Sequence, residues 1–316
     1  MPEPRDTQSI RVIAVVGPTA TGKTSLAEDL AVRYSGEVIS ADSMQIYRGM
    51  DIGTAKAPAD ERRVPYHCLD LTDPGTDFSA ALFQSCARDA ITDIHLRGKT
   101  PIIAGGTGLY VRAALDDMRF PAGDTGSSVR EDLEARAELI GGVALHAQLS
   151  EVDPSSAALI HPNNVRRTIR ALEMVAEGAS YAEQAAGFEI RESIYNTVFI
   201  GLTMQRDKLY QSINYRVDRM IGAGLIDEVR GLLGSGMREA ITAQQAIGYK
   251  EFVPVVEKGV DSDIAVEEVK RSTRRYAKRQ LTWFRGDHRI HWIDVTDLSP
   301  ASVTEHAIEL LESLEP

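Results

Sequence analysis

The chain predicts an α/β fold, a parallel sheet flanked by helices with a helical domain inserted into it. Three observations carry that expectation. Short apolar runs rich in β-branched residues alternate with helix-length segments in the first third of the chain. The first run, Val12-Ile13-Ala14-Val15-Val16, feeds a glycine-rich turn that opens a helix at Ser25-Leu26-Ala27-Glu28-Asp29-Leu30-Ala31. The alternation then stops between residues 121 and 196 and resumes with Thr197-Val198-Phe199-Ile200-Gly201-Leu202.

The elements follow in order. Glu37-Val38-Ile39-Ser40 reads as a second buried strand and leads into Asp42. His67-Cys68-Leu69-Asp70-Leu71 is a weaker strand. A helix is expected from Ser79 to Arg97. Thr100-Pro101-Ile102-Ile103-Ala104 then runs into Gly105-Gly106-Thr107-Gly108. The 121–196 stretch reads as helices punctuated by Gly141-Gly142, Pro154, Pro162 and Gly178. Residues 1–120 and 197–316 would form the catalytic core, mainly helical after Leu202 and closed by a strand at Arg289-Ile290-His291-Trp292-Ile293. In sheets of this kind ligands sit beyond the carboxyl ends of the strands. Asp42, Thr107 and the first turn each follow a strand end, so the fold would gather them.

Gly17-Pro18-Thr19-Ala20-Thr21-Gly22-Lys23-Thr24 is a complete phosphate-binding loop, so the fold class narrows to a P-loop NTPase-like sheet. Backbone N–H groups and the helix N-terminus face phosphate oxygens, Lys23 adds a full charge, and the Thr24 hydroxyl is placed to ligate Mg²⁺. The motif suits ATP as well as any other ligand with two linked phosphates. Asp42 has three open roles at this point: holding Mg²⁺ through water, taking a proton from a nucleophile, or capping the turn after it. Arg216, on a helix after the Thr197 strand, is either a solvated arginine or a group that neutralises leaving phosphates.

Bulk properties bound the rest. The 316 residues are 43% hydrophobic with a net charge of −11, as expected for a soluble, cytoplasmic protein with no membrane span. Cys68 and Cys86 fit no metal spacing and read as free thiols. The charge is segregated: from Lys270 to Arg289 there are eight basic residues and one acid, Asp287. Val266, Val269, Thr273, Tyr276 and Ala277 trace one face of a helix there, and Arg271, Arg274, Arg275 and Lys278 a stripe beside it. Such a stripe favours a polyanionic partner, and Trp283 and Phe284 are either stacking surface or core. Arg166, Arg167 and Arg170 fall within about one helical turn, in a stretch free of acids from Pro154 to Leu172.

Read in order, several motifs resemble one family. They are the phosphate loop, Ser40-Ala41-Asp42-Ser43-Met44-Gln45-Ile46-Tyr47-Arg48-Gly49-Met50-Asp51-Ile52-Gly53-Thr54-Ala55-Lys56, Pro65-Tyr66-His67, Gly105 to Tyr110, Gln245-Ala246-Ile247-Gly248-Tyr249-Lys250-Glu251, and Ala277-Lys278-Arg279-Gln280-Leu281-Thr282-Trp283-Phe284-Arg285. Together they resemble the isopentenyl-tRNA transferase family, the bacterial tRNA dimethylallyltransferases. The resemblance runs from about Arg11 to Trp292. It departs at Ala57-Pro58 and in the linker Asp116 to Ser128.

The resemblance implies transfer of a dimethylallyl group from dimethylallyl diphosphate to N6 of adenosine 37, beside the anticodon of tRNAs reading U-initial codons, with Mg²⁺ as cofactor and diphosphate released. Gly17, Thr19, Ala20, Thr21, Gly22, Lys23 and Thr24 would then hold the diphosphate of the prenyl donor, with Thr24 on the metal. Asp42 matches the general base, and Thr107 and Arg216 the groups that stabilise the diphosphate. The tRNA anticodon stem-loop would be contacted by Asp42, Ser43, Met44, Gln45 and Thr107, and in the inserted domain by Arg130, Arg166, Arg167, Thr168, Ile169 and Arg170. Further contacts implied are Gln245, Gly248, Tyr249, Lys250, Lys278, Arg279, Gln280, Thr282, Trp283 and Arg285. Nothing requires more than a monomer. The competing readings are a prenyltransferase acting on free AMP, ADP or ATP, which has no need of the basic stripe, a nucleotide or small-molecule kinase, and an RNA-binding protein with a vestigial loop.

Overall fold

The computed structural model describes residues 7–120, 128–239 and 242–314. Six strands form one sheet: β1 (Arg11–Val16), β2 (Glu37–Ser40), β3 (Tyr66–His67), β4 (Pro101–Gly105), β5 (Asn196–Thr203) and β6 (Ile290–Asp294). All pair in parallel, in the order β3-β2-β4-β1-β5-β6. The helices are α1 (Lys23–Arg33), α2 (Ala80–Leu96), α3 (Gly108–Leu115), α4 (Ser128–Ile140), α5 (Gly142–Val152), α6 (Pro154–Leu159), α7 (Val165–Ala176), α8 (Tyr181–Glu189), α9 (Arg206–Gly222), α10 (Leu225–Leu233), α11 (Val253–Lys258), α12 (Ser262–Arg285) and α13 (Pro300–Ser313).

β1 explains why both faces of the sheet are covered. Side chains alternate across a strand, and every residue from Val12 to Val16 is buried. Val12, Ala14 and Val16 enter one core with residues of α2, α3 and α10, while Ile13 and Val15 enter the other with residues of α1 and α13. An apolar run without polar alternation is therefore a central strand here.

The weak strand is shorter than its sequence suggested. β3 covers Tyr66–His67 only, because Cys68 (φ 60°) and Asp70 (φ 54°) lie in the left-handed region and end the extended run. Asp70, half-exposed, pairs with the buried Lys56 at 2.6 Å.

The chain forms two compact units, one of Met1–Asp116 with Ser193–Pro316 and one of Asp117–Glu192. Each boundary of the second unit falls four residues before the expected 121 and 196. Within the first unit, a bridge between Asp116 and Ser193 joins the two chain segments. The second unit contains α4 to α8 around Leu149, Ala157, Ile160 and Ala171. Among the described residues no helix is long and apolar enough to cross a membrane, and Cys68 and Cys86 are free.

Candidate active site

The phosphate loop joins β1 to α1 and is shaped by three backbone positions. Gly17 (φ +140°) lies against β5: a Cβ there would stand 2.5 Å from the Leu202 carbonyl oxygen. Ala20 (φ 66°) and Gly22 (φ 87°) are both left-handed, which turns successive N–H groups toward the concave side of the loop. Gly22 has no side chain with which to cap α1, so the helix presents its first N–H groups uncapped. Within the loop, Thr21 donates its hydroxyl to Pro18 O at 2.9 Å and the Lys23 ammonium donates to the same oxygen at 2.6 Å. Thr24 lies on the first turn of α1, exposed to solvent. The Thr19 N–H is already taken by the Gln280 side chain, at 2.9 Å.

Strand order brings the next groups alongside. β4 lies between β1 and β2, so the residues that follow β2 and β4 flank the loop. The Thr107 N–H donates to Ala41 O (3.2 Å), and the Thr107 hydroxyl oxygen accepts from Ser43 N–H (3.1 Å). Asp42 Oδ1 accepts from Met44 N–H at 2.9 Å. Asp42 thus caps its own turn with one oxygen, and the other makes no hydrogen bond among the described residues.

Arg216 reaches the same place from α9. Its Nη2 donates to Thr54 O at 3.0 Å. Burial lowers the guanidinium pKa and the nearby Asp42 carboxylate opposes that shift. Lys23 is lowered to about 7, first by burial and then by the positive charge of Arg216, with Asp42 again acting in the other direction. Lys23, Arg216 and Asp42 therefore share one electrostatic neighbourhood, with two cations to one carboxylate. That excess suits a ligand carrying several negative charges. Among the described residues no group of three His, Cys, Asp or Glu side chains could hold a metal ion.

The segment Asp42 to Lys56 is held by Glu228, which sequence reading missed, and by Tyr249, Lys56 and Gln45, whose bracing role it did not show. Glu228, on α10, accepts the N–H groups of Asp51, Ile52 and Gly53 at 3.2, 2.8 and 3.2 Å. The Tyr249 hydroxyl donates to the same carboxylate at 2.6 Å, and its ring fills the space a Cβ on Gly53 would need. Buried Lys56 donates to Tyr47 O and pairs with Asp51 and Asp70. Gln45 accepts from the Ser40 hydroxyl at 2.7 Å and donates to Thr54 O at 3.3 Å. No local signal marks Glu228, since its partners lie about 175 residues earlier.

Several residues implied as RNA contacts occupy interior positions instead. Tyr249, Thr168 and Ile169 are buried by core packing, and Gln280 is 5% exposed with its amide engaged by two loops. Gly248 is also buried, at a left-handed φ of 93°. By contrast Arg166, Arg167, Gln245, Lys250, Lys278, Arg279, Thr282 and Arg285 are exposed. In the second unit, Arg130 and Arg170 both pair with the buried Glu173. Within the first unit, Trp283 is 43% exposed and lies where a Cβ on Gly108 would stand, while Phe284 is core.

The basic stripe is narrower than the charge count implied. Lys270 pairs with Asp218 and Glu267, Arg271 with Glu268, and Arg289 with Asp116 and Asp287. Arg274 donates to Asn214 Oδ1 at 2.7 Å. The acids that compensate Lys270 and Arg271 lie just upstream or on α9, outside the counted window. Arg275, Lys278, Arg279 and Arg285 remain exposed and without an acidic partner among the described residues.

Comparison with known proteins shows the family and the fold. The profile of the IPP transferase family matches residues 45–287, and that of the isopentenyl transferases residues 10–64. The chain is 51% identical over 289 residues to the tRNA dimethylallyltransferase of Geobacillus thermodenitrificans, covering 91% of each chain. It is 48% identical to that of Bacillus subtilis, covering 90% of this chain and 91% of the other. Among solved structures, the tRNA isopentenylpyrophosphate transferase of Bacillus halodurans matches with a TM-score of 0.68 and 47% identity, over 96% of this chain and 97% of that one. A eukaryotic dimethylallyltransferase captured acting on tRNA matches with a TM-score of 0.81 and 31% identity, over 98% of this chain and 81% of that one.

Proposed function

The chain belongs to the IPP transferase family, and from that premise we infer that it is a tRNA dimethylallyltransferase, moving a dimethylallyl group from its diphosphate to N6 of adenosine 37 in tRNA. The observation that carries the reading is the placement of Lys23, Arg216 and Asp42 within electrostatic reach of one another beside the phosphate loop.

The exocyclic amine is a weak nucleophile. As N6 attacks the allylic carbon, the C–O bond to the diphosphate breaks and the nitrogen becomes cationic. The free oxygen of Asp42 takes the proton, while its other oxygen stays on Met44 N–H and fixes the carboxylate. The departing diphosphate collects negative charge. The loop N–H groups, the Lys23 ammonium and the Arg216 guanidinium neutralise it. Arg216 is held for that task by its bond to Thr54 O. Thr107, fixed between Ala41 and Ser43, lies beside the base and the adenine to be placed there.

Mg²⁺ fits the residues present, because this ion keeps several waters and needs few protein ligands beside substrate phosphates. Thr24 would hold it, and it would supply further neutralisation of the diphosphate. Arg275, Lys278, Arg279 and Arg285 supply a basic face for the RNA backbone.

The test is direct. The protein is incubated with Mg²⁺, dimethylallyl diphosphate and either unmodified tRNA carrying A36-A37-A38 or free AMP, and the nucleosides are analysed by mass. Prenylated adenosine from tRNA alone supports the reading. Product from AMP alone transfers the assignment to the nucleotide-modifying relatives, and phosphoryl transfer from ATP in a parallel incubation, with no prenyl transfer in the first, returns it to the kinases.

A further inference from the structure

Gln280 is a buried polar side chain of α12 that points inward between two loops of the site. With Ala277 and Phe284 it shares the buried face of the helix, while its neighbours Lys278 and Arg279 are exposed. Its Oε1 accepts the Thr19 N–H at 2.9 Å and its Nε2 donates to Gly106 O at 2.9 Å. One partner is a donor and the other an acceptor, so the orientation of the amide is fixed. The fit is tight: a Cβ on Gly106 would stand 2.1 Å from Nε2. Thr19 also precedes Ala20, a non-glycine residue held in the left-handed region.

We infer that Gln280 is a positioning residue, a staple through which α12 holds the phosphate loop and the Gly106-Thr107 turn in register, rather than a contact to RNA. The inference rests on the reading that the loop binds a diphosphate. By occupying the Thr19 N–H, Gln280 removes that group from the set that faces the ligand. It also fixes the loop at the residue before the strained turn. The N–H groups beyond Ala20 and the Lys23 ammonium then keep one geometry, and Thr107 keeps its distance from them. The staple sits on the helix that carries the exposed basic residues, so two hydrogen bonds tie the donor grip to the element that bears the basic face.

Gln280→Leu removes both bonds at similar volume. Gln280→Glu keeps an acceptor for Thr19 but opposes the Gly106 carbonyl and brings a negative charge near the loop. Gly106→Ala expels the side chain without changing it. Binding of inorganic pyrophosphate by titration calorimetry, tRNA binding by filter retention, and KM for dimethylallyl diphosphate are read on each folded variant.

Gln280→Leu and Gly106→Ala are each expected to weaken pyrophosphate about tenfold, the worth of a buried hydrogen bond or two. They should not add when combined, and tRNA affinity should stay within about twofold, the precision expected of a neutral change. Gln280→Glu should be weaker still at neutral pH. It should recover relative to wild type as pH falls, when the protonated carboxyl again donates to Gly106 O. A role confined to stability would leave the pyrophosphate affinity of the folded variants unchanged.

Lost tRNA affinity with unchanged pyrophosphate binding would overturn the staple and make Gln280 an RNA contact. Equal pyrophosphate affinities in wild type and Gln280→Leu would overturn it whatever the activity. Wild-type protein that binds pyrophosphate yet transfers no prenyl group would remove the proposed reaction and leave the staple standing. Wild-type protein that binds no pyrophosphate would remove both.

Discussion

Asp42→Asn separates the chemistry of this carboxylate from its structural bond. Asp42 Oδ1 accepts the Met44 N–H at 2.9 Å, and the asparagine amide oxygen accepts it equally well. The turn should therefore hold, whereas Asp42→Ala would forfeit the cap at a cost of about 1 kcal/mol. What Asn cannot do is take the proton from N6. A positioned general base contributes roughly 10²–10⁴-fold, so single-turnover prenyl transfer should fall by that factor, equivalent to about 3–5 kcal/mol of barrier. The variant also removes the carboxylate that opposes the mutual repulsion of Lys23 and Arg216. Pyrophosphate should then bind as tightly as to wild type or more tightly, because the pocket becomes more positive. The assay is rapid-quench transfer from labelled dimethylallyl diphosphate to tRNA, with calorimetry on pyrophosphate alongside. Transfer within tenfold of wild type would refute the base assignment. Weakened pyrophosphate binding would refute the electrostatic picture of the pocket.

Three further outcomes are expected. Lys23 has a folded-state pKa of about 7 against 10.5 for a fully solvated lysine, so the unfolded chain binds more protons between those values and stability rises with pH across that window. Lys23→Met should flatten that rise in urea melts between pH 7 and 10, and an unchanged slope would mean the lysine is not the titrating group. Glu37 is 2% exposed at the start of β2, and its bonds to Arg97, Lys99 and His67 hold its carboxyl well below the usual range. Its contribution is present above about pH 4.5, the usual glutamate range, and lost as pH falls. Because Arg97 and Lys99 are about 40% exposed, Glu37→Gln should cost only about 2 kcal/mol by denaturant unfolding, with transfer kinetics unchanged. Replacing Arg275, Lys278 and Arg279 with Gln should weaken tRNA binding and reduce the salt slope by up to about 3, whereas the same change at Lys270, Arg271 and Arg289 should alter stability more than the slope.

The strands that carry the site were readable because β1, β2 and β4 are local apolar runs that lead directly into the loop, Asp42 and Thr107, whereas their order in the sheet came from the structure. β3 was overestimated because the left-handed φ of Cys68 and Asp70 leaves no mark in composition. The basic stripe was overcounted for a related reason. A window along the chain cannot see Asp218, which reaches Lys270 from another helix, or Asp116, which reaches Arg289 from the end of α3.

The amino-acid sequence alone determined the phosphate grip, because eight consecutive residues from Gly17 to Thr24 contain both the turn and its charge. It also determined the family, through motifs each short enough to be read locally. Tertiary structure alone decided which motif residues face outward and which brace the site. Gln280 acts on Thr19 and Gly106, and Tyr249 and Glu228 on the Asp51 to Gly53 turn, across stretches of chain that only folding closes. Side-chain chemistry is written in the residue, but the partner that uses it is chosen by the fold.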